Sequence, residues 1–303
     1  MDKEWVGTTY GNGWMHKWLI RILKHTDVRI WYAFASVFIV PVCLILNPSY
    51  GIAYRYFRNR HGLSSLKAFW LTYVNHCLFS QVVIDKFAMY SGKKFKVELE
   101  GYEYYTKLND ADKGFVIMSS HIGNYEIAGY TLVAENKPFN ALVFYGEKES
   151  VMNNRNKMFA DSNIRMIPIK NDMSHLFVIN NALQNGEIVS MPADRIFGSK
   201  KTISKVFLGA TADFPLGPFS IATMRGLDVL AVNVMKVSLK SYKIYITPLT
   251  YDKSASRKEQ IEELSEKYKG ELERMIKKYP TQWYNFYEFW SSSNGVSEYK
   301  KQG

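Results

Sequence analysis

Residues 30 to 46, IWYAFASVFIVPVCLIL, form an apolar run without a charge. Its length is at the lower edge of what carries a helix across a bilayer. Pro41 inside the run predicts a kink or a division into two short helices. Basic residues stand on both sides, Lys24 and Arg29 before it and Arg55, Arg58 and Arg60 after it, so charge gives no direction of crossing. A segment that dips into one leaflet, or lies against it, suits that flanking better than a clean span; a buried core helix is the alternative. The preceding stretch carries Asp2, Glu4, Lys17, Arg21 and Lys24. It lacks the compact basic start of a cleaved leader, so the run is expected to be retained.

From about residue 114 the pattern changes to short apolar runs separated by amphipathic stretches. GFVIMSS (114 to 120), NALVFYG (140 to 146), RMIPI (165 to 169), EIVSMP (187 to 192), DVLAVNVMK (228 to 236) and SYKIYITPL (241 to 249) read as strands. Helices are predicted over 125 to 135, 150 to 160, 172 to 184 and 217 to 226. This alternation predicts an α/β fold, a mixed central sheet flanked by helices. Near the end, Ile261, Leu264, Tyr268, Leu272, Met275 and Ile276 recur at three- and four-residue spacing, an amphipathic helix stopped by Pro280. No repeat or low-complexity linker divides the chain. The expected organisation is an N-terminal membrane-associated region over residues 1–100 and a catalytic domain over 101–303.

Composition narrows the setting. Aromatic residues make up 15% of the 303 residues, and such rings favour places where apolar and wet surfaces meet. The formal charge of +11 suits an acidic partner: anionic lipid, a phosphorylated substrate, an acidic carrier protein or nucleic acid. No nucleic-acid reading motif and no basic tract interleaved with aromatics is present, which argues against the last of these. The two cysteines, Cys43 and Cys77, give neither a disulfide framework nor a zinc site. The remaining histidines, His16, His25, His61, His76 and His175, lack metal-ligand spacing. Metal-dependent hydrolysis is therefore a poor explanation.

The candidate chemistry lies in SSHIGNYEIAGY, residues 119 to 130. His121 and Glu126 would stand about 140 degrees apart on a regular helix, too far for contact. They meet only if the chain turns between them. Gly123 permits such a turn, and Asn124 is a favoured N-cap for a helix starting at Tyr125. His121 would then sit on a strand-to-helix loop, at the strand end where open α/β sheets place ligands. Glu126 would project back toward the imidazole, fix its tautomer and support a developing imidazolium. No G-x-S-x-G nucleophile pattern accompanies it, so the base is expected to activate a substrate hydroxyl. If that hydroxyl attacks a carbonyl, amides around Gly123 and Asn124 are candidate donors to the oxyanion formed. Asn124 is therefore either a cap or a substrate contact.

Asp194 and Arg195 follow the strand EIVSMP and would share the same sheet edge, with a turn at Gly198 and positive charge from Lys200, Lys201 and Lys205. Arg195 could bind a phosphate or carboxylate with both arms of its fork, or form a plain surface pair with Asp194. Arg155 could hold an anionic headgroup or a carrier phosphate. FPLGPF (214 to 219) either shapes an apolar channel or makes a strand-to-helix turn.

These pieces, in order, resemble the LpxL/HtrB family of lipid A acyltransferases: SHIGNYEIAGY, VMNNRNKMF, GEIVSMPADRIFGSKK, FLGATADFPLGPFSIA and YPTQWYNFYEFW, over roughly residues 15 to 290. The resemblance implies acyl transfer at the cytoplasmic face of the bacterial inner membrane. The donor would be acyl-acyl carrier protein and the acceptor a hydroxyl of a lipid A precursor or related anionic glycolipid. It implies His121 as general base with Glu126 as its partner, and no metal or organic cofactor. Many members carry Asp-Gln where this chain has Asp194-Arg195, so another acceptor, such as a lysophospholipid, an aminolipid or a polyene-type lipid, stays open. A lipid-binding protein without chemistry is the remaining alternative.

Overall fold

The computed structural model describes residues 13–47, 49–132, 137–144, 153–155, 163–169, 172–196 and 201–290. Gly198, Lys200 and most of the helix expected over 150 to 160 lie outside the described residues. A seven-stranded sheet forms the centre, with strands β1 (Lys96–Glu100), β2 (Phe115–Ser119), β3 (Phe139–Phe144), β4 (Ile164–Ile169), β5 (Ile188–Pro192), β8 (Val229–Ser238) and β9 (Ser241–Pro248). Their order is β1-β9-β8-β2-β5-β3-β4. Strands β8, β2, β5, β3 and β4 run parallel, while β9 pairs antiparallel with β8 and carries β1 parallel to itself. The sheet is thus mixed, with helices on both faces.

The parallel centre is the most apolar part because it is covered twice. Phe115, Val116, Ile117 and Met118 of β2 are all buried, alternate residues entering the cores on opposite faces. One face packs under the helices His175–Gln184, Leu216–Met224 and Arg257–Lys278. The last of these opens with a capping box: the Ser256 hydroxyl accepts the Glu259 N–H, and the Glu259 carboxylate accepts the Ser256 N–H. The other face holds Tyr105, Ile127 and Leu132. FPLGPF is the junction between a hairpin, β6 (Thr202–Phe207) with β7 (Ala210–Pro215), and the helix Leu216–Met224.

The N-terminal helices are bound to this body by side chains as well as by packing. Asn75, in the long helix Ser65–Tyr90, donates to the carbonyls of Thr281 (2.9 Å) and Trp283 (3.0 Å). The apolar run lies in one continuous helix, Val28–Leu46. Pro41 does not divide it, contrary to the break its ring predicts. A π turn over Ala35–Ile39 comes first, with the Val40 N–H bonded to the Ala35 carbonyl, and this widened turn makes room for a ring that would otherwise press on the preceding turn. Val28–Leu46 is the one helix among the described residues long and apolar enough to cross a membrane, and 22% of its most apolar window is buried. Ile30, Phe34, Phe38, Ile45 and Leu46 are exposed, as are Trp14 and Trp18 on the helix Gly13–His25 and Phe69 and Trp70 on the helix Ser65–Tyr90.

Candidate functional site

The site follows from one register. Strands β2 and β5 run parallel with Ser119 opposite Pro192, and both end there. The Ala193 N–H still bonds to the Ser119 carbonyl at 3.0 Å, so the chains leave the sheet side by side. Two residues beyond each end stand His121 and Asp194. The Ser120 hydroxyl fixes the exit by donating to Asn233 Oδ1 on β8 at 2.9 Å.

Asp194 binds His121 twice. Its Oδ2 accepts the His121 backbone N–H at 2.8 Å, and its Oδ1 pairs with Nδ1 of the ring at 2.8 Å. Because a carboxylate can only accept, Nδ1 carries the proton and Nε2 the basic lone pair. The Asp194 side chain is 1% exposed and that of His121 19%. Arg195 is also buried; its guanidinium donates to the Tyr284 carbonyl at 2.8 Å and lies 5.5 Å from the centre of the Tyr287 ring. The Tyr125 ring stands edge-on to the imidazole at 5.8 Å.

Burial disfavours a charged imidazole, and the Arg195 guanidinium adds to this; together they outweigh Asp194 and hold His121 below the ordinary histidine value. Burial also works against the Asp194 carboxylate, but His121 and Arg195 outweigh it and hold that group low. At neutral pH the site combines an anion, Asp194, a neutral base, His121, and a cation, Arg195.

The carboxylate on the imidazole is thus Asp194, where Glu126 was expected. Glu126 begins the helix Glu126–Thr131 and faces the helix Ser65–Tyr90. Its Oε1 accepts from Lys86 at 2.6 Å and from Arg155 at 2.7 Å, and its Oε2 from the Tyr90 hydroxyl at 3.4 Å. Burial alone would raise its pKa, but the two cations win and bring it down to about 2. The spacing after His121 favours a turn back toward the ring; two cations brought from elsewhere in the chain draw the carboxylate away. Arg155, expected to meet an anionic headgroup, is buried against Glu126.

The amides proposed for an oxyanion are also engaged. The Gly123 N–H donates to the Gln282 carbonyl and the Asn124 N–H to that of Val234, each at 2.8 Å. Asn124 does not cap the helix, which starts at Glu126. Its buried amide reaches the Tyr242 hydroxyl at 3.3 Å instead. Lys205 is no part of a positive edge either, being buried in contact with Glu262 on the helix Arg257–Lys278. Arg195 likewise lies beneath the site, under Tyr284 and Tyr287, rather than on the surface. Among the described residues no three His, Cys, Asp or Glu side chains gather as metal ligands.

Sequence reasoning missed Lys86 and Tyr90 beside Glu126, and Gln282, Tyr284 and Tyr287 behind the loop. The legible signal was Lys86 itself, with its neighbour Asp85, in the otherwise apolar stretch VVIDKFAM: charges in such a stretch need partners.

Three outcomes are expected without reference to any reaction. In a proton-resonance titration His121 loses its charge below the ordinary histidine value of about 6.5; Arg195→Gln moves that midpoint up and Asp194→Asn moves it further down. Glu126 falls from 4.5 to about 2 on folding. Its contribution to stability is therefore full above the unfolded value and is lost as pH drops through the folded one. Urea unfolding of Glu126→Gln should accordingly show a shallower loss of stability between about pH 5 and 3 than the parent. Gly123 has φ +63°, and a Cβ there would lie 1.8 Å from the Val234 carbonyl oxygen. The left-handed backbone alone costs an alanine about 1–2 kcal/mol, so Gly123→Ala should lower the thermal midpoint by more than that term predicts.

Among solved structures, the chain matches that of the 1-acyl-sn-glycerophosphate (LPA) acyltransferase PlsC from Thermotoga maritima at 16% identity and a TM-score of 0.40, over 89% of this chain and 100% of that one. No curated protein sequence matches it. The model of one family, described as bacterial lipid A biosynthesis acyltransferase, matches residues 78–292. That span contains His121, Glu126, Arg155, Asp194 and Arg195, and it covers most of the chain. The chain belongs to the bacterial lipid A biosynthesis acyltransferase family and is an acyltransferase.

Proposed function

We propose that the protein transfers a fatty acyl chain from acyl-acyl carrier protein to a hydroxyl of a lipid A precursor or a related anionic glycolipid, with His121 as general base. The observation that carries this reading is the pair of hydrogen bonds from His121 to Asp194 at the carboxyl edge of the sheet. The substrate hydroxyl gives its proton to Nε2, and its oxygen attacks the thioester carbonyl. Asp194 keeps the proton on Nδ1 and balances the imidazolium as it forms. The imidazolium then protonates the departing thiolate. Glu126 takes a different part: it holds Lys86 and Arg155 in one place and so fixes the positive charge on that side of the loop.

A lipid acceptor places the reaction at a membrane. The exposed Ile30, Phe34, Phe38, Ile45 and Leu46 of the helix Val28–Leu46, with Trp14, Trp18 and Trp70 nearby in sequence or on adjoining helices, supply an apolar surface that favours lipid over water. Lys17, Arg21 and Lys24 in the helix Gly13–His25 add attraction to anionic headgroups. Both features suit the cytoplasmic face of a bacterial inner membrane, where acyl carrier protein is available as donor.

Detergent-solubilised protein, acyl-acyl carrier protein and a tetra-acyl lipid A precursor should give a product one acyl chain heavier by mass spectrometry. His121→Ala and Asp194→Asn should each lower the rate by at least about 100-fold while the far-ultraviolet spectrum stays native. The rate should fall as pH drops through the lowered His121 pKa, since only the neutral ring is a base, and Arg195→Gln should move that limb upward. A native protein that transfers no acyl chain to this acceptor, yet acylates a lysophospholipid, would overturn the choice of acceptor. Full activity in His121→Ala would overturn the mechanism.

A further inference from the structure

A second group of buried charges lies outside the reacting centre. Asp85, in the helix Ser65–Tyr90, is paired with Lys236 of β8, and both are buried. The Asp85 carboxylate also accepts the hydroxyls of Tyr32, from the helix Val28–Leu46, and of Tyr242, from β9. Pairs of this kind add little net stability, because taking two charges out of water offsets most of their attraction. Their positions suggest another role.

One route leads from the side chains of this pair to the His121 loop, and a second starts at the main chain of Lys236. The Tyr242 hydroxyl, while donating to Asp85, accepts the Asn124 side-chain N–H at 3.3 Å. The Gln282 side chain brackets the peptide groups of Lys236: Oε1 accepts the Lys236 N–H at 2.9 Å and Nε2 donates to its carbonyl at 2.8 Å. The main-chain carbonyl of the same Gln282 accepts the Gly123 N–H at 2.8 Å. Gly123 and Asn124 follow His121 in the same loop; the Asn124 side chain is held by a hydroxyl that contacts Asp85, and the Gly123 N–H by a residue whose side chain holds the Lys236 main chain.

We propose that Asp85 and Lys236 are positioning residues for His121, registering its loop against the membrane-proximal helices through Tyr242 and Gln282. The inference rests on the acyl-transfer reading for its kinetic test, but it has a readout of its own. Asp85→Leu combined with Lys236→Met replaces both charges by apolar groups, a change that buried pairs tolerate. The double variant should remain folded, lose about tenfold or more in kcat, the scale of a small misplacement of a reacting group, and keep KM within about twofold. Amide hydrogen exchange should quicken in residues 121–126 and stay unchanged in β2 and β5. Tyr242→Phe, which keeps the ring and removes only the hydroxyl, should show the same changes to a smaller degree.

Wild-type kcat and exchange in the folded double variant would overturn the proposal, as would exchange that quickens equally throughout the sheet. If the double variant does not fold, a Tyr242→Phe protein with wild-type kcat and loop exchange would overturn it. Absence of acyl transfer by the parent protein would tell against the proposed reaction, and the exchange measurement would then decide the positioning role alone.

Discussion

The carboxylate of Asp194 accepts both N–H groups that face it from His121, one from the main chain and one from the ring. A single side chain therefore fixes the backbone height, the ring angle and the tautomer of the same residue. This is possible only because β2 and β5 are adjacent, parallel and in a register that ends them together. Shift that register by one residue and the two side chains would point to opposite faces. The whole parallel centre, with its doubly covered apolar strands, serves as the fixture that keeps this register.

Around that pair the buried charges are gathered in small groups of opposite sign. Asp194 sits with His121 and Arg195, Glu126 with Lys86 and Arg155, and Asp85 with Lys236. Each group crosses between elements far apart in sequence, and each would be costly if one member were removed while the others stayed buried. The helix Ser65–Tyr90 contributes Asp85 and Lys86, two adjacent residues that serve two different groups. It joins the N-terminal helices to the sheet at the level of the His121 loop.

What the sequence disclosed was what local pattern controls. Six of the sheet's strands show as apolar runs, and the π turn aside, the apolar helix and the capped helix near the end are where periodicity puts them. Strand β1, KVELE, escaped because it is an edge strand whose charged residues face water. The β6–β7 hairpin escaped because its turn interrupts a weakly apolar segment. His121 was visible at a strand end, and Asp194 at another, but the bond between them depends on strand order, which no local pattern encodes. Glu126 shows the converse: its spacing from His121 was suggestive, yet partners at positions 86 and 155 decide where its carboxylate goes. Asn124 had a good local reason to cap a helix and found a hydroxyl on β9 instead.

The π turn before Pro41 changes the phase of the apolar helix as well as making room for a ring. The residues of that helix that turn inward are Val28, Tyr32, Ala35 and Val40, at steps of four, three and then five. The step of five is the width of the π turn. A regular helix would have carried the inward stripe to residue 38 or 39, and Phe38 and Ile39 would have been drawn into the protein. With the wider turn they stay on the outside beside Phe34 and Val42, so that one unbroken stripe faces away from the body along the full length of the helix. The same proline that threatened to cut the segment in two thus accompanies the slip that keeps its outer surface continuous.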